Sequence, residues 1–159
     1  MRQTMASADL DDFDRKILAI LQRDNRTPQR EIGAAVNLSA AAVQRRIRRM
    51  EAEGVITANV AVVSPPAVGR PLTIIIEVEM ESERPDLLDT MKATILAAPE
   101  VQQCYFVTGQ VDIVLVVTVP DMAGYEDLTR RLFLGNPNLR KFKTLVVMNA
   151  LKTGQGVPI

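Results

Sequence analysis

Leu38-Ser39-Ala40-Ala41-Ala42-Val43-Gln44-Arg45-Arg46-Ile47-Arg48-Arg49-Met50-Glu51-Ala52-Glu53-Gly54 reads as one helix with both ends marked. Ser39 is an N-cap whose hydroxyl can accept from a free backbone N–H, and Gly54 is a C-terminal stop. Val43, Ile47, Met50 and Gly54 recur at i, i+4, i+7 and i+11 and define a core side. At about 100° per residue, Ala41, Arg45 and Arg48 fall on the opposite side, with Gln44 and Arg49 on the flanks. Small residues lead that outward face and guanidinium groups follow. Such a helix can enter a major groove closely at its N-terminal end. Arg then meets guanine edges or phosphates, and Gln meets adenine. The candidate DNA contacts are therefore Ser39, Ala41, Gln44, Arg45, Arg48 and Arg49. The plainer alternative is an Arg-rich solvated face, for which Glu51 and Glu53 are the only local acids. Arg46, closer to the core side, is expected in a structural ion pair.

Upstream, Phe13, Ile17, Ile20 and Leu21 give a first helix over about Asp11–Asp24 one buried face. Asp11, Asp12 and Asp14 fill its first turn, where the helix dipole favours negative charge. A second helix opens at Thr27-Pro28, with Thr27 as cap, and ends near Val36-Asn37. Only Asn37-Leu38 separates it from Ser39, so the last two helices make a helix-turn-helix. Downstream, Val55–Val63 is strand-like and is expected to act as a wing or to pair with a second subunit.

Ser64-Pro65-Pro66 and Gly69-Arg70-Pro71 interrupt the chain as a linker. The division is 9–63 for the helix-turn-helix domain, 64–70 for the linker and 71–153 for a second domain. That domain alternates strand and helix: strand Leu72–Met80, helix Pro85–Ala97, strand Val101–Thr108, strand Val111–Val119, helix Met122–Leu134 behind Asp121 as N-cap, and strand Phe142–Leu151. The order βαββαβ is that of a ferredoxin-like fold, making the chain α+β with an N-terminal winged-type helix-turn-helix. Val114, Leu115, Val116 and Val117 put apolar groups on both faces of one strand. Two helices can cover one face, so oligomerisation is expected on the other. In the turn Thr108-Gly109-Gln110-Val111-Asp112, Asp112 opens an otherwise apolar strand. It is either a turn Asp bonded to backbone N–H groups or a carboxylate facing a ligand's ammonium group. Cys104 has no basic neighbour and reads as a small core residue.

Composition narrows the chemistry. The 159 residues carry 19 Lys and Arg, 19 Asp and Glu, and no His. Without His there is no Ser-His-Asp or Cys-His nucleophile, and the lone cysteine cannot build a structural zinc site or an intrachain disulfide. No metal or cofactor is expected. A neutral chain binds nucleic acid only through clustered charge, which Arg45–Arg49 supplies. No apolar run reaches the ~18–20 residues of a membrane span, and Met1–Asp9 has no signal-peptide core. A cytoplasmic protein without enzymatic activity is the expectation.

Several stretches in order carry a resemblance: Leu10-Asp11-x-x-Asp14-Arg15-Lys16-Ile17-Leu18, Leu38-Ser39, Arg46-Ile47-x-Arg49-Met50-Glu51-x-x-Gly54-Val55-Ile56 and Val107-Thr108-Gly109-x-x-Asp112. Val119-Pro120-Asp121-Met122-x-x-Tyr125 and Leu145-Val146-Val147-Met148 complete them. Over residues 9–153 the chain resembles the leucine-responsive regulator/AsnC (feast/famine) family. The resemblance implies a transcription factor binding double-stranded DNA, with a ferredoxin-like domain that takes small effectors, usually amino acids. It also implies homodimers that assemble to tetramers or octamers, with the effector between dimers near the Gly-x-x-Asp turn. Carried over by position, the effector residues are Gly109, Asp112, Met122, Leu134, Thr144, Leu145, Val146 and Val147. Ile113 and Leu145 stand where relatives often have aromatic residues, so a less aromatic pocket is implied. Two other functions share this pattern: architectural compaction of DNA, and a haem-biosynthesis decarboxylase of the same fold, whose sites use the histidine that this chain lacks.

Overall fold

The computed structural model describes residues 9–82, 84–154 and 156–159. The chain divides into two compact units. One runs to Ala61 and includes Lys152–Ile159, and the other is Val62–Leu151.

The first unit holds α1 (Asp12–Leu21), α2 (Gln29–Val36) and α3 (Ala40–Ala52). Ile17, Leu18, Ile32, Val36, Val43 and Met50 form its buried core, with Ile20, Leu21, Leu38, Ile47, Val55 and Ile56 packed against it. α1 begins with a reciprocal cap: Asp11 accepts from the Asp14 backbone N–H (2.8 Å) and Asp14 accepts from that of Asp11 (3.2 Å). The expected buried face of α1 is corrected in its first turn. Phe13 is 39% exposed, whereas Asp14 is only 1% exposed. Cations reaching across from α3 neutralise that carboxylate, so the inward position holds an ion pair instead of an apolar side chain. Thr27 does not cap α2, because its hydroxyl donates back to the Asp24 carbonyl (2.8 Å) and Pro28 takes the N-cap position.

Within one chain Val55–Val63 forms neither a strand nor a wing. Val55 and Ile56 instead turn back onto the α3 core, where both backbone N–H groups donate to the Met50 carbonyl. Beyond them Asn59 donates to Glu51 (2.9 Å), and Val60, Val62 and Val63 are exposed. A strand needs a ladder partner, and none among the described residues pairs with this segment. The C-terminal tail completes the unit. Gln22 donates through Nε2 to the Val157 carbonyl (3.0 Å), and the Val157 N–H donates back to Gln22 Oε1 (2.7 Å).

The second unit is βαββαβ: β1 (Leu72–Met80), α4 (Pro85–Leu96), β2 (Val101–Phe106), β3 (Ile113–Val119), α5 (Met122–Phe133) and β4 (Leu139–Val146). The sheet is antiparallel in the order β2-β3-β1-β4. Ile74, Ile76, Val78, Ile113, Leu115, Val117 and Val119 are fully buried against Met91 and Ile95 of α4 and Leu128 and Leu132 of α5. Alternation therefore turns Ile75, Glu77, Val114, Val116 and Leu145 to the other face, where they stay half-buried or exposed. The last strand is displaced from Phe142–Leu151 to Leu139–Val146. Its charged start is tolerated because β4 is an edge strand and Lys141 and Lys143 pair with Glu79 (2.8 Å) and Glu77 (3.7 Å).

Candidate functional site

The α2–α3 turn is set by backbone closeness. A Cβ on Gly33 would lie 2.4 Å from the Leu38 carbonyl oxygen, so only glycine allows the turn to fold under α2. Asn37 takes the left-handed conformation (φ 58°, ψ 44°), and the Leu38 N–H donates to the Gly33 carbonyl (2.9 Å). Ser39 then caps α3 by accepting from the Ala42 N–H (3.2 Å).

This geometry fixes how α3 is rotated. Val43 and Met50 are buried and Ile47 is partly so. Ser39, Ala41, Arg45, Arg48 and Arg49 are exposed, and Gln44 is half-buried. The four arginines divide by partner. Arg46 Nη1 bonds Asp11 (2.7 Å) and Asp14 (2.8 Å), and its guanidinium stands 5.4 Å over the Phe13 ring. Arg49 bonds the other Asp14 oxygen and lies 3.9 Å from Glu53. The Asp14 backbone N–H, followed by Arg46, holds the Asp11 carboxyl below its ordinary value, and the bonds to Asp14 and Asp11 raise Arg46. Among the described residues the side chains of Arg45 and Arg48 make no ion pair and no hydrogen bond. The reading of local acids overlooked Asp11 and Asp14, which α1 brings to α3. The signal was available as an Asp-x-x-Asp spacing facing an Arg-x-x-Arg spacing.

In the second unit the turn before β3 borders a half-open pocket. Asp112 Oδ2 accepts from the Met80 N–H (2.7 Å), while its own N–H donates to Val78 (2.9 Å) and its carbonyl accepts from Val107 (3.0 Å). The Asp112 carboxylate is thus bonded to backbone, though of a neighbouring strand and not of its own turn. Gly109 in the same turn has φ 137°, a conformation that side chains rarely adopt. Met80, Leu88, Phe106, Val107 and Asp112 line a cavity of about 260 Å³. Of these, only Asp112 was singled out from sequence. Met80 and Phe106 are recognisable once β1, β2 and β3 are paired, since Phe106 and Val78 both face Ile113.

The remaining effector candidates lie elsewhere in the chain. Thr144 is hydrogen-bonded to the Tyr125 hydroxyl on the helix-covered face, and burial pushes that phenol up. Leu145 is on the open face, and Val146 pairs with Ile74, six residues along β1 from Met80. At ~3.3 Å per residue that separation is about 20 Å. Met122 and Leu134, at opposite ends of α5, are 46% and 77% exposed. One chain therefore gathers Gly109 and Asp112 near the cavity and does not bring the other six to it.

Residues 10–51 match the AsnC-type helix-turn-helix domain, and residues 73–157 match the Lrp/AsnC ligand binding domain. The chain is 45% identical over 151 residues to the uncharacterized HTH-type transcriptional regulator y4tD of Sinorhizobium fredii, covering 95% of this chain and 89% of that protein. The crystal structure of an AsnC family transcriptional regulator from Agrobacterium tumefaciens superposes with a TM-score of 0.88 at 32% identity, covering 94% and 97% of the two chains. A transcriptional regulator of Neisseria meningitidis, solved as a complex with L-Met, superposes with a TM-score of 0.87 at 27% identity, covering 94% and 96%.

Proposed function

Because the chain belongs to the Lrp/AsnC family of transcriptional regulators, we propose that it reads specific double-stranded DNA sites through α3 and answers to an amino acid bound in its second unit. The observation that carries the DNA reading is the division of the arginines. Arg46 and Arg49 are held by the carboxylates of Asp11 and Asp14, while among the described residues Arg45 and Arg48 have no acid partner on the face that Ser39 and Ala41 leave open. Gln44 and Arg49 flank that face.

The test is binding of a site selected from a random DNA pool by the wild-type protein. Arg45→Ala and Arg48→Ala are each expected to cost about 1–3 kcal/mol on that site, the loss of a bidentate base contact. Affinity should fall steeply with salt, because phosphate contacts release counterions. Unchanged affinity in both variants overturns α3 as the reader. Uniform coverage of DNA with no selected site favours architectural compaction over regulation.

The effector reading places Asp112 and Gly109 at the site and an amino acid's ammonium group near the carboxylate. Support comes from the cavity at this turn and from the neighbouring regulator solved with L-Met. We further propose a homodimer through the open sheet face, where Ile75, Val114, Val116 and Leu145 lie beside two mutually neutralised Lys–Glu pairs. Dimers assembling to tetramers or octamers would let Met122, Leu134, Thr144, Leu145, Val146 and Val147 contribute between copies. The role is regulatory and not catalytic, in the cytoplasm. Among the described residues no helix is long and apolar enough to cross a membrane.

A further inference from the structure

Asp11, Arg45, Arg46 and Arg49 line a half-open pocket of about 240 Å³ where α1 meets α3. A water takes ~30 Å³ in the liquid, so one phosphate group and a few waters have room there. Two of its arginines are paired, yet the pairing uses few of their donors. A guanidinium carries five N–H groups. Arg46 reaches Asp11 and Asp14 through Nη1 alone, and Arg49 reaches Asp14 through Nη2 alone. The Nε of Arg49 is 3.9 Å from Glu53, beyond hydrogen-bond reach. Among the described residues, Nε and Nη2 of Arg46 and Nε and Nη1 of Arg49 donate to nothing. The carboxylates act as braces. Buried Asp14 holds one arginine on each oxygen, and the Phe13 ring backs Arg46. Both forks are thus fixed before a ligand arrives, and little side-chain freedom is left to lose on binding.

We propose that this pocket seats one phosphate of the DNA backbone on the free donors of Arg46 and Arg49. Pairing with acids does not withdraw these two arginines from DNA; it aims them. Three guanidinium groups against Asp11 and Asp14 leave one positive charge, the complement of one phosphodiester. Glu53 adds little to that balance, because its contact with Arg49 is long and exposed. A helix lying in the major groove is flanked by phosphate walls, and the pocket opens on the flank of α3 beside Arg45. Arg45 and Arg48 then read base edges, while Arg46 and Arg49 set the register in which they do so. The assignment rests on the DNA reading above and adds its backbone anchor.

The experiment gives the full chain its selected DNA site with single phosphates replaced, one at a time, by uncharged methylphosphonates. For the wild type, one position in each half-site is expected to cost at least about tenfold in affinity. Arg49→Gln leaves Asp14 its bond to Arg46. It should bind every DNA sequence more weakly by a similar factor and become indifferent to that same position. Its salt slope should fall by about 1 for each protomer bound, with base preferences unchanged. Arg49→Lys keeps a charge beside Asp14 and serves if Arg49→Gln does not fold. It should hold most of the slope and shrink the penalty at that position. A changed base preference in Arg49→Gln overturns the assignment, as do equal methylphosphonate penalties in wild type and variants. Stabilisation by inorganic phosphate at fixed ionic strength, with no position coupled to Arg49, gives the pocket to a free anion and also overturns it. Failure of the DNA reading itself shows differently, as unchanged affinity in Arg45→Ala and Arg48→Ala.

Discussion

Asp14 is a carboxylate buried at the junction of α1 and α3, and it is tolerated there only because Arg46 and Arg49 close on its two oxygens. Removing one side of such a pair leaves an uncompensated buried charge, which typically costs about 3–5 kcal/mol. The double variant Arg46→Ala, Arg49→Ala, which strands the Asp14 carboxylate, is therefore expected to lower stability by that order, read by urea denaturation, whereas Arg48→Ala should leave stability within about 0.5 kcal/mol. Asp11 gives the pH signature of the same cluster. Its folded pKa lies below the ordinary value of 3.8, first through the Asp14 N–H and then through Arg46. Its contribution is thus present above that value and lost as pH falls through the lower folded pKa. The acid limb of an Asp11→Asn variant should be flatter below about pH 4 than that of the wild type. Gly33 is the other exacting position. A Cβ there meets a backbone oxygen and not a yielding side-chain tip. Gly33→Ala should cost about 1–3 kcal/mol or more by overpacking, and should weaken DNA binding by displacing α3.

Elements were the most legible level. Periods of 3.6 and 2 locate every helix and strand of the second unit, and β1 matches its expected span Leu72–Met80 because its alternation is bounded by Pro71 and a polar turn. Three features were hidden, each because a long-range partner decides it. α1 turns Asp14 inward because α3 supplies arginines. Val55–Val63 remains without a ladder although its residues favour strand. β4 starts three residues early because Glu77 and Glu79 of β1 accept its lysines. The cavity was partly legible for the same reason: Asp112 stands out in an apolar strand, whereas Met80, Phe106 and Leu88 join it only through pairing and packing. The open sheet face leads to a prediction at this scale. Leu145→Glu would put a charge among Ile75 and Val116, and is expected to shift the assembly toward monomer in sedimentation equilibrium without lowering the helical content. Retention of the wild-type assembly by this variant would move the interface elsewhere.

At the level of the whole molecule, zero net charge conceals two units of different kind, one with an arginine-bearing surface and one built on a sheet with a covered and an open side. The chain passes from one to the other at Ala61–Val62, and the proline- and glycine-containing stretch 64–70 belongs to the second unit. The return of the tail was not marked, since nothing in Lys152–Ile159 has a period or a motif that points to Gln22. The tail is held by a side-chain amide that mimics one rung of a strand ladder, closing both the N–H and the carbonyl of Val157. The first unit is therefore discontinuous in the gene. A fragment ending near Ala61 would encode the three helices without the segment that closes on Gln22. Adding residues 152–159 back as a free peptide would have to replace a tether that acts at roughly millimolar effective concentration. Stop codons near the 3′ end and deletions near the 5′ end consequently damage the same unit, so a truncation series would mislead if it were read as a map of separate functions.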